Sequence, residues 1–177
     1  MSFLNLFFSW KTSISSVEEM KKAQVVITHE FGDQKEVNDT TMDIVYVGIK
    51  IAKQLNIPMI CQSPGDMVAY CQQLEPVLII DRNLQSEGSY LDTNEVNRQV
   101  SEICQKNGWT YVVVCAHPHH AWRVGKNLEK FGLIPIFPDL LGIKYCSIPS
   151  RLTLSSPWYF IPREICARIL YYFKGYI

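Results

Sequence analysis

Three of the four histidines of the chain lie within four positions: His117, His119 and His120. They follow the apolar run Tyr111–Cys115, and Pro118 lies between the first two. Proline favours the first position of a helix, so His117 is expected at the cap, with His120 and Arg123 on one face of the first turn. Backbone N–H groups, the positive end of the helix dipole and a guanidinium then converge. This pattern predicts a binding site for a phosphate or carboxylate of a ligand.

Other chemistry is open to the same residues. Imidazole has an ordinary pKa near about 6.5, so His117 or His120 is the acid–base candidate. A metal site formed by His117, His119 and His120 is an alternative, but this spacing is not typical of zinc sites, and no metal is favoured. Arg123 pairing with an acidic neighbour, with His120 packed at the surface, is the structural alternative. Cys115 ends an apolar run, which favours a buried structural thiol over a nucleophile.

A second segment with chemical potential runs from Glu87 to Asn97. Asp92 and Glu95 have the spacing of a capping box at the start of a helix. Glu87 precedes that helix in a Gly/Ser loop, where its carboxylate can reach a hydroxyl or amine of a ligand. Thr93 can offer a hydroxyl to the same cleft. We therefore expect Glu87, Asp92, Thr93 and Glu95 to contribute to ligand binding.

Short apolar runs alternate with segments of helical periodicity along the chain. Strands are predicted at Gln24–Thr28, Pro58–Cys61, Pro76–Asp81, Thr110–Cys115 and Leu133–Phe137, with a further strand proposed at Ile143–Ile148. Helices are predicted to start near Ser15 and to cover Thr40–Leu55, Met67–Leu74, Asp92–Lys106, Pro118–Phe131 and Pro162–Phe173. This alternation is typical of a doubly wound α/β fold with a mostly parallel sheet of about five to six strands and helices on both faces.

In such folds, ligands bind outside the carboxyl ends of the strands. The polar residues predicted at those ends are Thr28, His29, Glu30, Gln62, Ser63, Asp81, Arg82 and His117. Of these, we expect Thr28, His29, Gln62, Ser63 and His117 to line the ligand site. The glycine-rich dinucleotide fingerprint, the phosphate-binding P-loop and the Gly-x-Ser-x-Gly nucleophile elbow are absent from the sequence.

Length and composition limit the classes of protein to which the chain can belong. With 177 residues, the chain is expected to form a single α/β domain, residues 1–177, with an apolar arm and short helix at 1–22 and a final helix at 162–173. The 17 basic and 17 acidic residues cancel, which gives no electrostatic footprint for nucleic acid. The six scattered cysteines indicate buried free thiols in a reducing, cytoplasmic setting. No segment has the length of a membrane span. The apolar arm is expected either to cover the core or to form a homodimer contact.

The two anchor segments resemble those of the YdcF/SanA/ElyC-type family of bacterial α/β proteins. Glu87, Asp92-Thr93 and Glu95 match its first motif, and His120 and Arg123 match its second. The segment from Trp158 to Glu164 also resembles the C-terminal end of the family. Asp92, Val96 and Ala116-His117 depart from the family pattern, so the resemblance is to a divergent member.

The resemblance implies a Rossmann-like fold, a cleft for an S-adenosylmethionine-like or nucleotide ligand, and a link to the bacterial cell envelope. Our first hypothesis is therefore a small-molecule-binding α/β protein with that ligand at the strand carboxyl ends. The second is a metal-assisted phosphoester hydrolase that uses the histidines with Glu87 or Glu30. The third is a non-enzymatic interaction protein that is related to envelope biogenesis.

Overall fold

The computed structural model describes residues 14–29, 39–63, 77–81, 93–140 and 157–177. Side chains at 39, 62–63, 77–81 and 157–160 are outside this description. Several sequence predictions also lie outside the described residues: Glu30, Glu87 and Asp92, the arm at residues 1–13, the helix at Met67–Leu74 and the strand at Ile143–Ile148.

The described strands form one all-parallel sheet. They are β1 (Val25–Thr28), β2 (Met59–Ser63), β3 (Val77–Asp81), β4 (Tyr111–Cys115) and β5 (Ile134–Ile136), in the spatial order β3-β2-β1-β4-β5. Four parallel pairings join them. Every residue of β1 is buried, which is the pattern of a parallel strand covered on both faces. The expected α/β architecture with a parallel sheet is confirmed.

Five helices are described: one precedes β1, three lie between strands, and one follows β5. They are α1 (Val17–Met20), α2 (Asp39–Leu55), α3 (Thr93–Lys106), α4 (Pro118–Lys130) and α5 (Pro157–Phe173). The predicted helix start near Ser15 is confirmed, because Ser16 caps α1 and forms a reciprocal capping box with Glu19. Gly132 adopts a φ of 80° just after α4, as expected for a glycine that ends a helix.

The last helix begins earlier than predicted. The expected start was Pro162, but α5 starts at Pro157 and contains Pro162 in its interior. Both prolines suit a first turn, and the earlier one takes that place because Trp158–Ile161 contains no residue type that ends a helix. Pro162 then removes one backbone hydrogen bond from the helix, since its nitrogen carries no hydrogen.

Helices cover both faces of the sheet beside β1. A β-carbon placed on Gly48 of α2 would lie 2.6 Å from Cγ2 of Thr28 and 3.2 Å from Sδ of Met59, so α2 packs on the face that bears Thr28. Successive side chains of a strand point to opposite faces. His29, the next residue, contacts Asn97 of α3, which therefore packs on the other face together with α4.

The close approach of α2 to the sheet predicts the effect of Gly48→Ala. Alanine is about 1 kcal/mol more favourable than glycine in a helix interior, yet overpacking of this kind costs about 1–3 kcal/mol. We expect a net loss of up to about 2 kcal/mol in the free energy of unfolding, measured by urea denaturation. Lys50→Ala, at an exposed position of the same helix, is the control and should stay within about 0.5 kcal/mol of wild type. A stabilised Gly48→Ala protein would contradict the close packing.

The core is built from the apolar strands and the helix faces that cover them. Cys61, Cys104 and Cys115 are buried free thiols, as expected, whereas Cys166 is free and exposed. Burial raises the pKa of the Cys115 thiol to about 12, which agrees with a structural role. None of the helices in the described part of the chain is both long and apolar enough to cross a membrane.

Candidate functional site

The carboxyl ends of β1 and β4 lie side by side and carry buried polar residues. The strands pair in register from Val25 and Val112 to Thr28 and Cys115, and the backbone N–H of His29 donates to the carbonyl of Cys115 at 2.8 Å. From β1 the chain continues to β2 on one side, and from β4 it continues to β5 on the other. This is the point of the sheet where the direction of winding changes.

Thr28 has a buried hydroxyl at this point. The residue is 3% exposed, and its Oγ1 atom has no hydrogen-bond partner among the described residues. Burial of a hydroxyl without a partner costs about 1–3 kcal/mol, so such groups are rare in native structures. Its position at the strand end makes it a candidate contact for a ligand.

His117 caps α4, as its place before Pro118 predicts. Its Nδ1 atom accepts from the backbone N–H of His119 at 3.3 Å, and the residue is 1% exposed. The neutral imidazole therefore carries its proton on Nε2. This local hydrogen bond explains how His117 caps the start of α4.

Arg123 forms a buried, two-point ion pair with Glu164. Its Nε atom donates to Oε1 of Glu164 at 2.9 Å, and its Nη2 atom donates to Oε2 at 3.0 Å. Its Nη1 atom donates to Oγ1 of Thr93 at 3.0 Å. The structure therefore agrees with the alternative in which Arg123 pairs with an acidic residue, and that acid comes from α5.

His120 completes this group from the first turn of α4. Its Nδ1 atom lies 3.0 Å from Nη2 of Arg123. A guanidinium can only donate, so Nδ1 accepts and the proton lies on Nε2. The 3.6 Å separation between Nδ1 and Oε2 of Glu164 is then too long for a hydrogen bond. His120 is buried, so the alternative of a surface position is wrong.

Arg168 supplies a second guanidinium to Glu164. Its Nε atom donates to Oε1 of Glu164 at 3.3 Å, and its Nη2 atom donates to the carbonyl of His119 at 3.1 Å. The Arg168 guanidinium lies over the ring of Trp122 at 4.4 Å, and that of Arg123 lies over Tyr171 at 4.7 Å. These contacts join the start of α4 to α5.

The ionisation states follow from this packing. Burial, together with the neighbouring His119 and His120, lowers the pKa of His117 to about 3. Burial and the positive charge of Arg123 lower the pKa of His120 to about 4. Burial alone would raise the pKa of Glu164, but the charge and hydrogen bonds of Arg123 and the neighbouring His120 together outweigh burial and hold that pKa well below its usual range. At neutral pH both imidazoles are uncharged and the carboxylate is ionised, which does not favour His117 or His120 as an acid–base group.

A second set of hydrogen bonds links His29 to two buried asparagines. Nε2 of His29 lies 2.8 Å from Oδ1 of Asn97 in α3. Nδ2 of Asn97 donates to the carbonyl of Val124 at 3.1 Å and to Oδ1 of Asn127 at 2.8 Å. The His29 and His120 rings meet edge to face, with centroids 6.0 Å apart. The two sets therefore form one polar cluster: His29, Thr93, Asn97, His120, Arg123, Asn127, Glu164 and Arg168.

The structure brings together some of the predicted site residues. Thr93, His120 and Arg123 meet in the polar cluster, and His29 joins them through His120. Glu95 instead pairs with Arg98 on α3, with 38% of its side chain exposed, and Arg98 together with Gln99 lowers its pKa. Gln62 and Ser63 end β2, but only their backbone is described, and Glu87 and Asp92 lie outside the described residues.

Sequence reasoning missed four members of the polar cluster: Asn97, Asn127, Glu164 and Arg168. All four are buried, and each lies on a helix. One signal was available, because Glu164 and Arg168 are four residues apart in the predicted final helix and so share one of its faces. The two asparagines carry no local signal, since their partners lie on other elements.

Over the ranges that the structure describes, no group of three or more His, Cys, Asp or Glu side chains is arranged to hold a metal ion.

Comparison of the chain with protein-family models, with curated proteins and with solved structures finds no match. A function is therefore inferred from the residues of this chain.

Proposed function

We propose that the chain is a small-molecule-binding α/β protein that holds an S-adenosylmethionine-like or nucleotide ligand at the carboxyl ends of β1 and β4. The observation that carries the proposal is the buried, unsatisfied hydroxyl of Thr28 at the point where the winding of the sheet changes direction. The ligand would supply the missing hydrogen-bond partner.

The strand order supports this placement. The order β3-β2-β1-β4-β5 corresponds to the first five strands of the doubly wound, Rossmann-like arrangement. In that arrangement, ligands bind in the crevice outside the strand carboxyl ends, at the point where the order reverses. Thr28 ends β1, His29 follows it directly, and His117 lies two residues after β4, so these three polar residues come from the carboxyl ends at which the ligand would bind.

We further propose that the chain is a divergent member of the YdcF/SanA/ElyC-type family. Three segments carry that resemblance, and each contributes a residue to one set of contacts: Thr93, Arg123 and Glu164. Arg123 bonds to both of the others. Contact between these three segments, which are distant in sequence, supports a shared structural role for them. The Arg123 guanidinium would then hold Glu164 in addition to contacting a ligand.

The test is a thermal-shift titration of wild type and Thr28→Val with S-adenosylmethionine and with nucleotides. A ligand at about 100 times its dissociation constant stabilises wild type by about 2.7 kcal/mol. For a domain of this size, each kcal/mol raises the melting temperature by about 2–4 °C. Thr28→Val retains the shape of the side chain, so the free protein should be equally stable or more stable, while ligand affinity falls about 2- to 10-fold.

Thr110→Val is the matched control, because Thr110 precedes β4 at the opposite end of the sheet and is exposed. It should leave ligand affinity unchanged. Arg123→Ala is unsuitable as a probe, because it would remove two of the donors to the buried Glu164 carboxylate and unfold the protein for reasons unrelated to binding. The proposal fails if neither class of ligand shifts wild type, or if Thr28→Val binds as tightly as wild type does.

A further inference from the structure

We infer that His120 binds the ligand of this site through its Nε2–H group, which donates to a carboxylate or phosphate oxygen of that ligand. The inference rests on the proposed ligand site. It also replaces the arrangement that sequence spacing predicts, in which an anion is held by backbone N–H groups of the first helical turn together with Arg123.

The backbone N–H groups at the start of α4 are already used within the helix. Pro118 has no N–H group, and the N–H of His119 donates to Nδ1 of His117 at 3.3 Å. The N–H groups of His120 and Ala121 both donate to the carbonyl of His117, at 2.8 and 2.9 Å. These four residues therefore leave no backbone donor for an anion, and a side chain has to supply one.

Arg123 fixes the tautomer of His120. Its Nη2 atom lies 3.0 Å from Nδ1 of His120 and can only donate, so Nδ1 must accept. The same guanidinium is held by Glu164 through Nε and Nη2 and by Thr93 through Nη1. It cannot turn away from His120 without breaking these bonds. The hydrogen of the neutral imidazole therefore lies on Nε2.

The protonation state of His120 limits what it can do toward a ligand. Burial and the positive charge of Arg123 lower its pKa to about 4, so the ring is uncharged at neutral pH. An uncharged ring whose Nδ1 atom already accepts a hydrogen bond can only donate from Nε2. The matching ligand atom is an acceptor, which excludes an ammonium group or another N–H donor at this position.

The Nε2 side of the ring lies toward the proposed ligand site. Among the described residues, none forms a hydrogen bond with Nε2 of His120. The His120 side chain is 11% exposed, whereas Glu164 beside Nδ1 is 0% exposed, so the exposed part of the ring lies away from Nδ1. The ring also meets that of His29 edge to face, and His29 directly follows Thr28 at the end of β1.

An anionic oxygen is the acceptor that suits this donor best. Hydrogen bonds to an ionised acceptor are roughly twice as strong as those between neutral groups. The Glu164 carboxylate lies on the Nδ1 side, 3.6 Å from that atom, while Arg123 and Arg163 both act on the ring as positive charges. S-adenosylmethionine offers a carboxylate and a nucleotide offers phosphates, so both proposed ligand classes contain the required group.

The first measurement is the tautomer of His120 in the ligand-free protein. Long-range ¹H–¹⁵N correlation spectra of protein labelled with ¹⁵N-histidine should show its hydrogen on Nε2 and an unprotonated Nδ1 at pH 7. The signals that are missing from His120→Asn identify this ring. A spectrum with the hydrogen on Nδ1 would overturn the inference without any reference to ligand.

The second measurement uses S-adenosylmethionine, ATP and adenosine as probes, because adenosine lacks both the carboxylate and the phosphates. The anionic probe that binds should shift the Nε2–H resonance of His120 and leave the hydrogen on Nε2. It should bind wild type at least about 10-fold more tightly than adenosine does. Whether S-adenosylmethionine or ATP is that probe distinguishes a carboxylate from a phosphate.

His120→Asn provides the matched variant. The asparagine oxygen can still accept from Arg123, but the side chain has no donor at the position of Nε2. Affinity for the anionic probe should therefore fall about 10-fold. His119→Asn, the same exchange at a partly buried histidine outside the polar cluster, should bind like wild type.

The outcomes separate the two proposals. If a probe binds wild type but the His120 resonance does not shift, or if His120→Asn and His119→Asn have equal affinities, the inference about His120 is wrong and the ligand site stands. Adenosine that binds as tightly as the anionic probes would likewise overturn the anionic contact. If no probe binds wild type, the ligand site itself is wrong and the role of His120 falls with it.

Discussion

Replacing Glu164 with glutamine should lower the free energy of unfolding by about 3–5 kcal/mol, because it removes a buried carboxylate to which two guanidiniums donate. Glu164 is 0% exposed and accepts from both Arg123 and Arg168. The amide of glutamine keeps one acceptor oxygen but places an N–H₂ group against a guanidinium nitrogen that also donates. The loss therefore combines the removal of a buried negative charge with a clash of donors.

Urea denaturation of wild type and Glu164→Gln at pH 7 measures this loss. Glu95→Gln is a matched control, because Glu95 also pairs with an arginine but has 38% of its side chain exposed. Exposed pairs contribute about 0.2–1 kcal/mol, so the control should change little. Equal and small effects for the two variants would show that the Glu164 pair is hydrated and not a buried anchor of α5.

Acidification below about pH 6.5 should destabilise the protein steeply. The folded-state pKa values of His117 and His120 are about 3 and about 4, well below the unfolded value of 6.5. Between those values the unfolded chain binds more protons than the folded protein does. Stability is then fully present above pH 6.5 and falls as the pH drops toward 4, by up to about 1.4 kcal/mol per pH unit for each histidine. Below about pH 4.5 the lowered pKa of Glu164 acts in the same direction.

Urea denaturation at a series of pH values from 7.5 to about 4 measures the slope, which reports the difference in bound protons. His117→Asn keeps an N-cap acceptor and removes one titrating group, so its slope should decrease by up to one proton. His120→Gln should give a similar decrease. Slopes identical to wild type in both variants would contradict the buried, uncharged state of these imidazoles.

Local sequence patterns determined the order and the type of the elements. The β-branched runs at Val25–Thr28 and Tyr111–Cys115 form adjacent buried strands, and Pro118 places His117 at a helix cap as predicted. These features depend on steric preferences and hydrogen bonds within a few residues, so the residue types near each position are sufficient to predict them. The short helix after Ser16 was predictable for the same reason.

Tertiary structure alone determined which polar residues of these elements pair with one another. The partner of Arg123 is Glu164, 41 residues away, and Asn97 meets His29 across 68 residues and Asn127 across 30. No local pattern encodes such pairs, because each residue is an ordinary member of its own helix. The pairs form only when α3, α4 and α5 pack together and exclude water.

The candidate site shows the same contrast between what local sequence predicts and what tertiary packing determines. Sequence spacing identified the histidine-rich start of α4 as chemically unusual, since three imidazoles and an arginine cluster there. Burial then changed their roles: it left His117 and His120 uncharged, and it engaged Arg123 with Glu164. Desolvation and hydrogen-bond direction are properties of the packed interior, so these roles are readable only from the folded protein.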